Sequence, residues 1–188
     1  MDSHGDVVAE IPGAGVWRYE DATGWAQLTP ANAAQVSIAG AGVAAVAIPG
    51  AGVWRFEDAG GWKQLTTTDA FQVSIAGAGI VAVAIPGAGV WRFEDATGWK
   101  QLSPANATQV SVNANGDVAL EIPGAGVWRF EDATGWAQLA PTDAAQIALD
   151  ADGDVAAEIP GLGVWLYQDG LSWGQLTAAN ALDMGLGD

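Results

Sequence analysis

The sequence predicts an all-β protein built from five copies of one small sheet. The string IPGAGVW begins at Ile11, Ile48, Ile85 and Ile122 and returns as IPGLGVW at Ile159, a 37-residue period with no insertion or deletion. Each unit holds short apolar or alternating runs separated by turn residues, and none holds an apolar stripe at helical spacing. A fixed period of this length indicates a repeat architecture.

Each unit contains four predicted strands. In the second unit they are Val43–Ile48, Val53–Glu57, Trp62–Leu65 and Phe71–Ala76, with PGAG, DAGG and TTTDA between them. These links have hairpin length, and glycine interrupts every candidate helix. The five units span residues 4–40, 41–77, 78–114, 115–151 and 152–188, and we expect residues 1–188 to form a single domain.

The ends of the chain indicate how the units assemble. A lone four-stranded sheet cannot bury its faces and must stack on its neighbours. Five such sheets can close radially, which predicts a five-bladed β-propeller with four antiparallel strands per 37-residue blade. The C-terminal stretch 183–186 corresponds to Gln35–Ile38, and the strand that should follow it lies at the N-terminus. We therefore expect the C-terminal strand to pair with the N-terminal blade, residues 5 to 28, and close the ring without open edges.

The composition limits the possible chemistry and partners. Lysine and arginine total 6 against 22 acidic residues, for a formal net charge of −16. An extended polyanion would be repelled by most of such a surface, so nucleic acid is not an expected partner. The chain has no cysteine, which excludes disulfides, a thiol nucleophile and thiolate metal sites.

The termini and hydropathy predict a soluble monomer. The opening MDSHGDVV lacks the basic region and apolar core of a signal peptide, and no run approaches membrane-spanning length. We therefore expect neither a signal peptide nor membrane insertion. The sequence does not determine the compartment.

Alternation along the GVWRFE run separates aromatic from charged side chains. Trp54 and Phe56 share one face of the sheet, whereas Val53, Arg55 and Glu57 share the other. We expect the aromatic pair to pack between blades, and the arginine to form a structural ion pair or to stack on a neighbouring tryptophan, in preference to ligand contact. The fifth unit departs from this pattern.

In the fifth unit, Leu166 and Gln168 replace the arginine and glutamate of the other four. This unit is therefore the one to compare with the rest.

A second tryptophan in each unit begins the predicted outermost strand and is the aromatic we expect to be more exposed. A glutamine lies two residues later on the same side, and an aspartate occupies the preceding turn. An aromatic plate flanked by amide and carboxylate suits a neutral sugar, whose CH face stacks while its hydroxyls form hydrogen bonds. The alternative is that these residues serve turns and packing. The candidate residues are Asp21, Trp25, Gln27, Asp58, Trp62, Gln64, Asp95, Trp99, Gln101, Asp132, Trp136 and Gln138, with Asp169, Trp173 and Gln175 in the fifth unit.

Two further polar motifs have structural interpretations. An Asn or Asp before each innermost strand can bond the backbone of its own turn; these residues are Asn32, Asp69, Asn106, Asp143 and Asn180. The stretches 113–117 and 150–154 have some character of a calcium loop, but the spacing falls short of the motif and Asn-Gly or Asp-Gly steps explain a hairpin turn. We predict no metal site and no cofactor.

Catalysis is not expected. The sole histidine, His4, lies near the N-terminus, so acid-base chemistry would rest on carboxylates. Neighbouring Glu and Asp side chains point to opposite faces of a strand. Five near-identical copies suit multivalent binding better than one asymmetric active site.

The recurring GVWRFEDATGWKQL-type segment in a five-unit ring resembles the small five-bladed propellers of the tachylectin-2 and tectonin kind. The resemblance is architectural and covers the whole chain. It implies a multivalent lectin that binds N-acetylated hexosamines or similar neutral glycans. The alternative is a structural or protein-interaction propeller without a small ligand, recently amplified or engineered, as the near-identity of the units suggests.

Overall fold

A computed structural model describes residues 5–181 and confirms the predicted all-β fold. These residues form five antiparallel sheets, four of four strands and one of three, with no α-helix among them. Within this range no helix is long and apolar enough to cross a membrane. Each sheet is one blade of a five-bladed propeller.

The strands follow one another as hairpins in every blade. Blade 1 contains β1 (Val7–Ile11), β2 (Gly15–Glu20) and β3 (Gly24–Thr29). Blade 2 contains β4 (Gln35–Ala39), β5 (Val43–Ile48), β6 (Gly52–Glu57) and β7 (Gly61–Thr66). Blade 3 contains β8 (Gln72–Ala76), β9 (Ile80–Ile85), β10 (Gly89–Glu94) and β11 (Gly98–Ser103). Blade 4 contains β12 (Gln109–Val112), β13 (Val118–Ile122), β14 (Gly126–Glu131) and β15 (Gly135–Ala140). Blade 5 contains β16 (Gln146–Leu149), β17 (Val155–Ile159), β18 (Gly163–Tyr167) and β19 (Trp173–Thr177).

The sheets and the sequence units are out of phase by one strand. In the second unit the predicted strands match β5 to β8, but β8 pairs with β9 of the next unit. Each complete blade therefore takes its first strand from one unit and its other three from the next. The predicted closing strand lies in residues 182–188, outside the described residues, and would supply the fourth strand of blade 1.

Adjacent blades contact one another through their first strands. The backbone N–H of Ile75 in β8 donates to the Ser37 hydroxyl in β4 at 3.1 Å. Equivalent bonds join Val112 to Ser74 and Leu149 to Ser111. These strands line the centre of the ring, and the second and third strands beside them carry the fully buried side chains, which include Val46, Val53 and Leu120.

A glycine begins the third strand in blades 2 to 5, and the equivalent Gly15 begins β2 in blade 1, because the chain passes very close to itself there. Gly52 has φ +78, and a Cβ on it would lie 2.1 Å from the carbonyl oxygen of Thr66. No side chain fits in that space, and the conformation itself favours glycine. The same close approach occurs at Gly15, Gly89, Gly126 and Gly163.

Candidate ligand-binding grooves between the blades

Four of the recurring polar and aromatic side chains share one face of each blade. In blade 2, Phe56 pairs in register with Trp62, and Trp54 pairs with Gln64. The Phe56 and Trp62 rings are tilted by 59° with centroids 5.2 Å apart. The sequence-based prediction that Trp62 and Gln64 face the same side is therefore confirmed, and Trp54 joins them there.

Backbone carbonyls hold both indoles of a blade in place. The Trp54 indole N–H donates to Ala51 in the preceding turn at 2.9 Å. The Trp62 indole N–H donates across the blade junction to Leu28 at 3.3 Å. Equivalent cross-blade bonds join Trp99 to Leu65, Trp136 to Leu102 and Trp173 to Leu139. Both N–H groups are thus engaged, and the rings are available for stacking but not for donation.

An open, mainly apolar groove recurs where these indoles meet the preceding blade. The first groove, between blades 1 and 2, has a volume of about 290 Å³ and is lined by Thr29, Ala31, Ile48, Ala51, Trp54 and Trp62. The second groove, between blades 2 and 3, has about 270 Å³ and is lined by Thr66, Thr68, Ile85, Ala88, Trp91 and Trp99. The third groove, between blades 3 and 4, has about 270 Å³ and is lined by Ser103, Ile122, Trp128 and Trp136.

The polar groups at the second groove are few and partly engaged. The Thr66 hydroxyl oxygen accepts the backbone N–H of Thr68 at 3.1 Å, so its own hydrogen remains available for a ligand. Gln101, opposite Trp91 in the register, donates its amide to the Ala88 carbonyl at 2.9 Å. Its amide oxygen then serves as an exposed acceptor beside the indole.

The structure places four of the five predicted aspartates, all but Asp21, in ion pairs between blades, apart from the Trp–Gln pairs. The Asp95 carboxylate meets Arg55 at 2.7 Å and Lys63 at 2.8 Å, both from blade 2. The hydrogen bond from Lys63, reinforced by Arg55, holds the pKa of Asp95 below its usual value. Asp58 and Asp132 have equivalent arginine partners in Arg18 and Arg92, and Asp169 has Arg129.

Each arginine is buried and structural, as the sequence predicted. Arg55 is 3% exposed, donates to the Gly79 carbonyl at 2.9 Å, and pairs with Glu57 at 2.6 Å. Its guanidinium also lies 5.8 Å from the centroid of the Phe93 ring in the next blade. The aromatic face of one blade therefore receives the arginine face of the preceding blade. The predicted ion pair is confirmed, but the ring beneath the guanidinium is Phe93 and not the tryptophan we expected.

The exposure expected for the second tryptophan is found at one position. Trp25 is 52% exposed, whereas Trp62, Trp99, Trp136 and Trp173 are half-buried, because the preceding blade covers them. Among residues 5–181, no carbonyl accepts the Trp25 indole N–H.

The junction between blades 5 and 1, where Trp25 lies, lacks the arginine ion pair in the described residues. Leu166 stands where the other blades have arginine, and Asp21 has no cationic partner within the part of the chain that the structure describes. Among the described residues, the arginine ion pair that joins the blades at the other four junctions is therefore absent here.

The Asx residues and the calcium-like stretches are structural. The Asn106 amide oxygen accepts the backbone N–H of Gly87 at 2.9 Å, so it stabilises the turn 19 residues earlier. The prediction that it would bond the backbone of its own turn is wrong. The Asn113 oxygen accepts the N–H groups of Asn115 and Asp117, which closes a hairpin turn. No group of three potential metal ligands among His, Cys, Asp and Glu occurs in the described range.

Sequence reasoning missed a buried carboxyl on the second strand of blade 4. Glu121 is 2% exposed and accepts a hydrogen bond from the Thr108 hydroxyl. Burial, together with the nearby charge of Asp143, raises the pKa of Glu121 to about 7. Comparison of the units offered a signal, because the equivalent position holds glutamate in Glu10 and Glu158 but alanine in Ala47 and Ala84.

No protein-family profile and no curated protein matches the chain. Solved propeller structures do match it in fold. Virginiamycin B lyase from Staphylococcus aureus superimposes with a TM-score of 0.68 at 11% identity, over 99% of this chain and 72% of that one. A candidate gluconolactonase gives 0.61 at 14% identity, over 91% and 73%. YCF48, solved bound to the D1 peptide, gives 0.59 at 14% identity, over 86% of this chain and 61% of that one.

These similarities establish the propeller architecture and nothing finer. The chain spans 61% of the length of YCF48 and 72% of that of the lyase. The neighbours include an enzyme and a peptide-bound protein, so the fold is compatible with catalysis as well as binding. The resemblance to tachylectin-type lectins is supported only as far as a β-propeller, and the chain is similar in fold to this broad group of proteins.

Proposed function

We propose that the protein is a multivalent, non-catalytic module that binds neutral carbohydrates in the grooves between its blades. The observation that carries the proposal is the recurrence of one groove, with two fixed indoles as walls, at three successive junctions. Pockets for small ligands combine apolar and aromatic walls with a few placed polar groups. Volumes of 270 to 290 Å³ lie at the small end for such pockets and suit one sugar ring better than a large ligand.

The chemistry of the walls favours a ring with an apolar face and hydroxyl edges. In the second groove, Trp91 and Trp99 present ring surface whose N–H groups already serve Ala88 and Leu65. The CH face of a pyranose can stack on such surface. The Thr66 hydroxyl and the Gln101 amide oxygen then supply one donor and one acceptor for its hydroxyls.

The charge of the protein favours neutral over acidic glycans. A net charge of −16 repels sialylated and sulfated chains. Fixed grooves on one ring also raise the avidity for a glycan that presents repeated units, because the second and third contacts become intramolecular. The proposed ligand is therefore a neutral or N-acetylated glycan presented in several copies.

A glycan array followed by monosaccharide titration tests the proposal. We expect binding to neutral glycans, and a change of tryptophan fluorescence with millimolar free sugar. The Thr66→Ala variant should weaken binding at the second groove only, and Ala140 at the equivalent position shows that the fold accepts alanine there. An array without hits, together with unchanged fluorescence across a monosaccharide panel, would contradict carbohydrate binding.

The second candidate is a structural or protein-interaction propeller without a small ligand. It is favoured by the second tryptophan, whose indole N–H donates a hydrogen bond to the preceding blade. Trp99, for example, donates to the Leu65 carbonyl at 3.0 Å. The peptide-bound neighbour shows that such a fold can bind protein. If it is correct, Trp99→Phe should lower the melting temperature while no sugar alters the fluorescence of the wild-type protein.

A further inference from the structure

In blades 2 and 3, one small residue in the turn between the second and third strands lies at the groove. Ala51 lines the first groove and Ala88 the second, each as the alanine of an IPGAG turn. The fifth unit reads IPGLG there, with Leu162 in place of the alanine. A second difference faces it across the junction: Thr29, Thr66 and Ser103 line the three grooves, whereas blade 4 has Ala140 at that position.

We propose that this turn residue determines which blade junctions bind ligand. Alanine leaves the groove open, and leucine closes it. Blades 1 to 4 then carry three equivalent sites on a continuous arc of the ring, and the junction of blades 4 and 5 carries none. The inference rests on the proposed function for the identity of the ligand, but the difference between open and closed grooves is a property of the turn itself.

The carbonyl of the turn residue accepts the same two groups in both cases, so at the turn itself the two blades differ in the side chain. The Ala88 carbonyl accepts the Trp91 indole N–H and the Gln101 amide, each at 2.9 Å. The Leu162 carbonyl accepts the same two groups, from Trp165 at 3.1 Å and from Gln175 at 2.8 Å. Leucine thus adds three carbon atoms at a point where alanine lines a groove of about 270 Å³.

Leu162 is not explained by packing in the core. Its side chain is 52% exposed, in contrast to the buried apolar residues of β17. With Ala140 opposite, the junction of blades 4 and 5 has a larger side chain at the turn and lacks the hydroxyl that the other grooves share. Two independent differences at one junction therefore point to the loss of the same site.

The test combines 5-fluorotryptophan labelling and ¹⁹F NMR with counting of bound sugar by calorimetry. The probes are an N-acetylhexosamine and cyclohexanol, a six-membered ring with one hydroxyl whose binding does not depend on sugar stereochemistry. We expect both probes to shift the Trp91 and Trp99 resonances and to leave Trp165 and Trp173 unshifted. Ala88→Leu should remove the Trp91 and Trp99 shifts and lower the number of bound sugars by one per chain.

The reverse change makes the test independent of any defect in the first variant. Leu162→Ala combined with Ala140→Thr should create shifts at Trp165 and Trp173 and add one bound sugar per chain. Ala88→Leu should fold, because the fifth unit contains this same turn, and its melting temperature checks that it does.

The outcomes separate this inference from the proposed function. If the resonance shifts caused by cyclohexanol depend on the turn residue but no sugar binds, the turn determines access to the groove and the carbohydrate proposal fails. If sugar binds and Ala88→Leu leaves the Trp91 and Trp99 shifts and the stoichiometry unchanged, carbohydrate binding stands and the inference is overturned. Wild-type shifts at Trp165 and Trp173 equal to those at Trp91 and Trp99 would overturn it as well.

Discussion

The Arg55 guanidinium in blade 2 meets the Asp95 carboxylate of blade 3 at 2.7 Å. The same geometry occurs at the junctions of blades 1 and 2, 3 and 4, and 4 and 5. Because each arginine also donates to a carbonyl of the next blade, the ion pair fastens neighbouring sheets as well as neutralising charge. The grooves lie at three of these four junctions but are lined by other residues, so the ion pairs hold together the blades that form the grooves.

Removing one such arginine should loosen the ring. Arg55→Leu loses charge-assisted bonds to Gly79, Glu57 and Asp95, and we expect the free energy of unfolding to fall by about 2–3 kcal/mol. Chemical denaturation measures the change. Lys63→Ala is the matched control, because its exposed pair with Asp95 should contribute less than about 1 kcal/mol. Equal losses in the two variants would contradict a structural role specific to the buried arginine.

Restoring the missing arginine at the fifth blade should stabilise the protein. Leu166→Arg places a guanidinium at the position whose counterparts pair with the aspartate of the following blade, which here is Asp21. We expect a gain of about 1 kcal/mol in the free energy of unfolding. Adding Asp21→Asn to the variant should cancel most of the gain. A gain that survives this second change would show that Asp21 is not the partner.

The glycine that begins each third strand should not tolerate a side chain. In Gly89→Ala the new Cβ would lie 2.1 Å from the Ser103 carbonyl oxygen, so the backbone must shift, and we expect a loss above about 3 kcal/mol. Gly87→Ala is the control, because it has a similar φ of +73 but no atom within 4 Å, and it should lose only about 1–2 kcal/mol. Melting temperatures report both. Similar losses would mean that the close approach to Ser103 is unimportant.

Glu121 should make the protein less stable as the pH rises towards neutrality. Its pKa is raised from 4.5 to about 7 by burial and by Asp143, so the folded state holds a proton that the unfolded state releases between these values. The contribution of Glu121 to the free energy of unfolding is then fully present below about pH 4.5. It decreases by on the order of 3 kcal/mol as the pH rises from there through 7. Glu121→Gln should remove this decrease.

Urea denaturation of both proteins from pH 4.5 to 8 measures the difference attributable to Glu121. Titration of the remaining carboxyls is common to both proteins and cancels in the comparison. Asp143→Asn should reduce the decrease in part, because it removes the smaller of the two causes. Parallel pH profiles for the wild type and Glu121→Gln would contradict the account.

The sequence predicted the fold well because the 37-residue period and the alternation along each strand depend on local physics. Alternation correctly placed Trp62 with Gln64 and Arg55 on the opposite face. It could not show which neighbour each face would meet. Asp95 was therefore assigned to the predicted sugar site, although its ion-pair partner, Arg55, lies 40 residues earlier in another blade.

The groove itself was also beyond sequence reasoning, because it is assembled from separate blades. Trp91 was expected to pack in the core, and it does pack between blades, yet part of its ring also lines the second groove. Thr66 reaches that groove from the preceding blade. Recurrence could not separate these roles, since every recurring residue repeats with the blade, and only departures such as Leu162 distinguish one junction from another.

Saturation-transfer difference NMR on a neutral monosaccharide is the most direct test of the central claim that the grooves between blades bind sugar. The comparison is between the wild type and a triple variant, Ala51→Leu, Ala88→Leu and Ala125→Leu, which fills the turn position at all three grooves. We predict saturation of the sugar ring C–H protons by the wild type and its loss in the folded variant. Saturation of equal strength in both proteins, or none in the wild type at millimolar sugar, would contradict the claim.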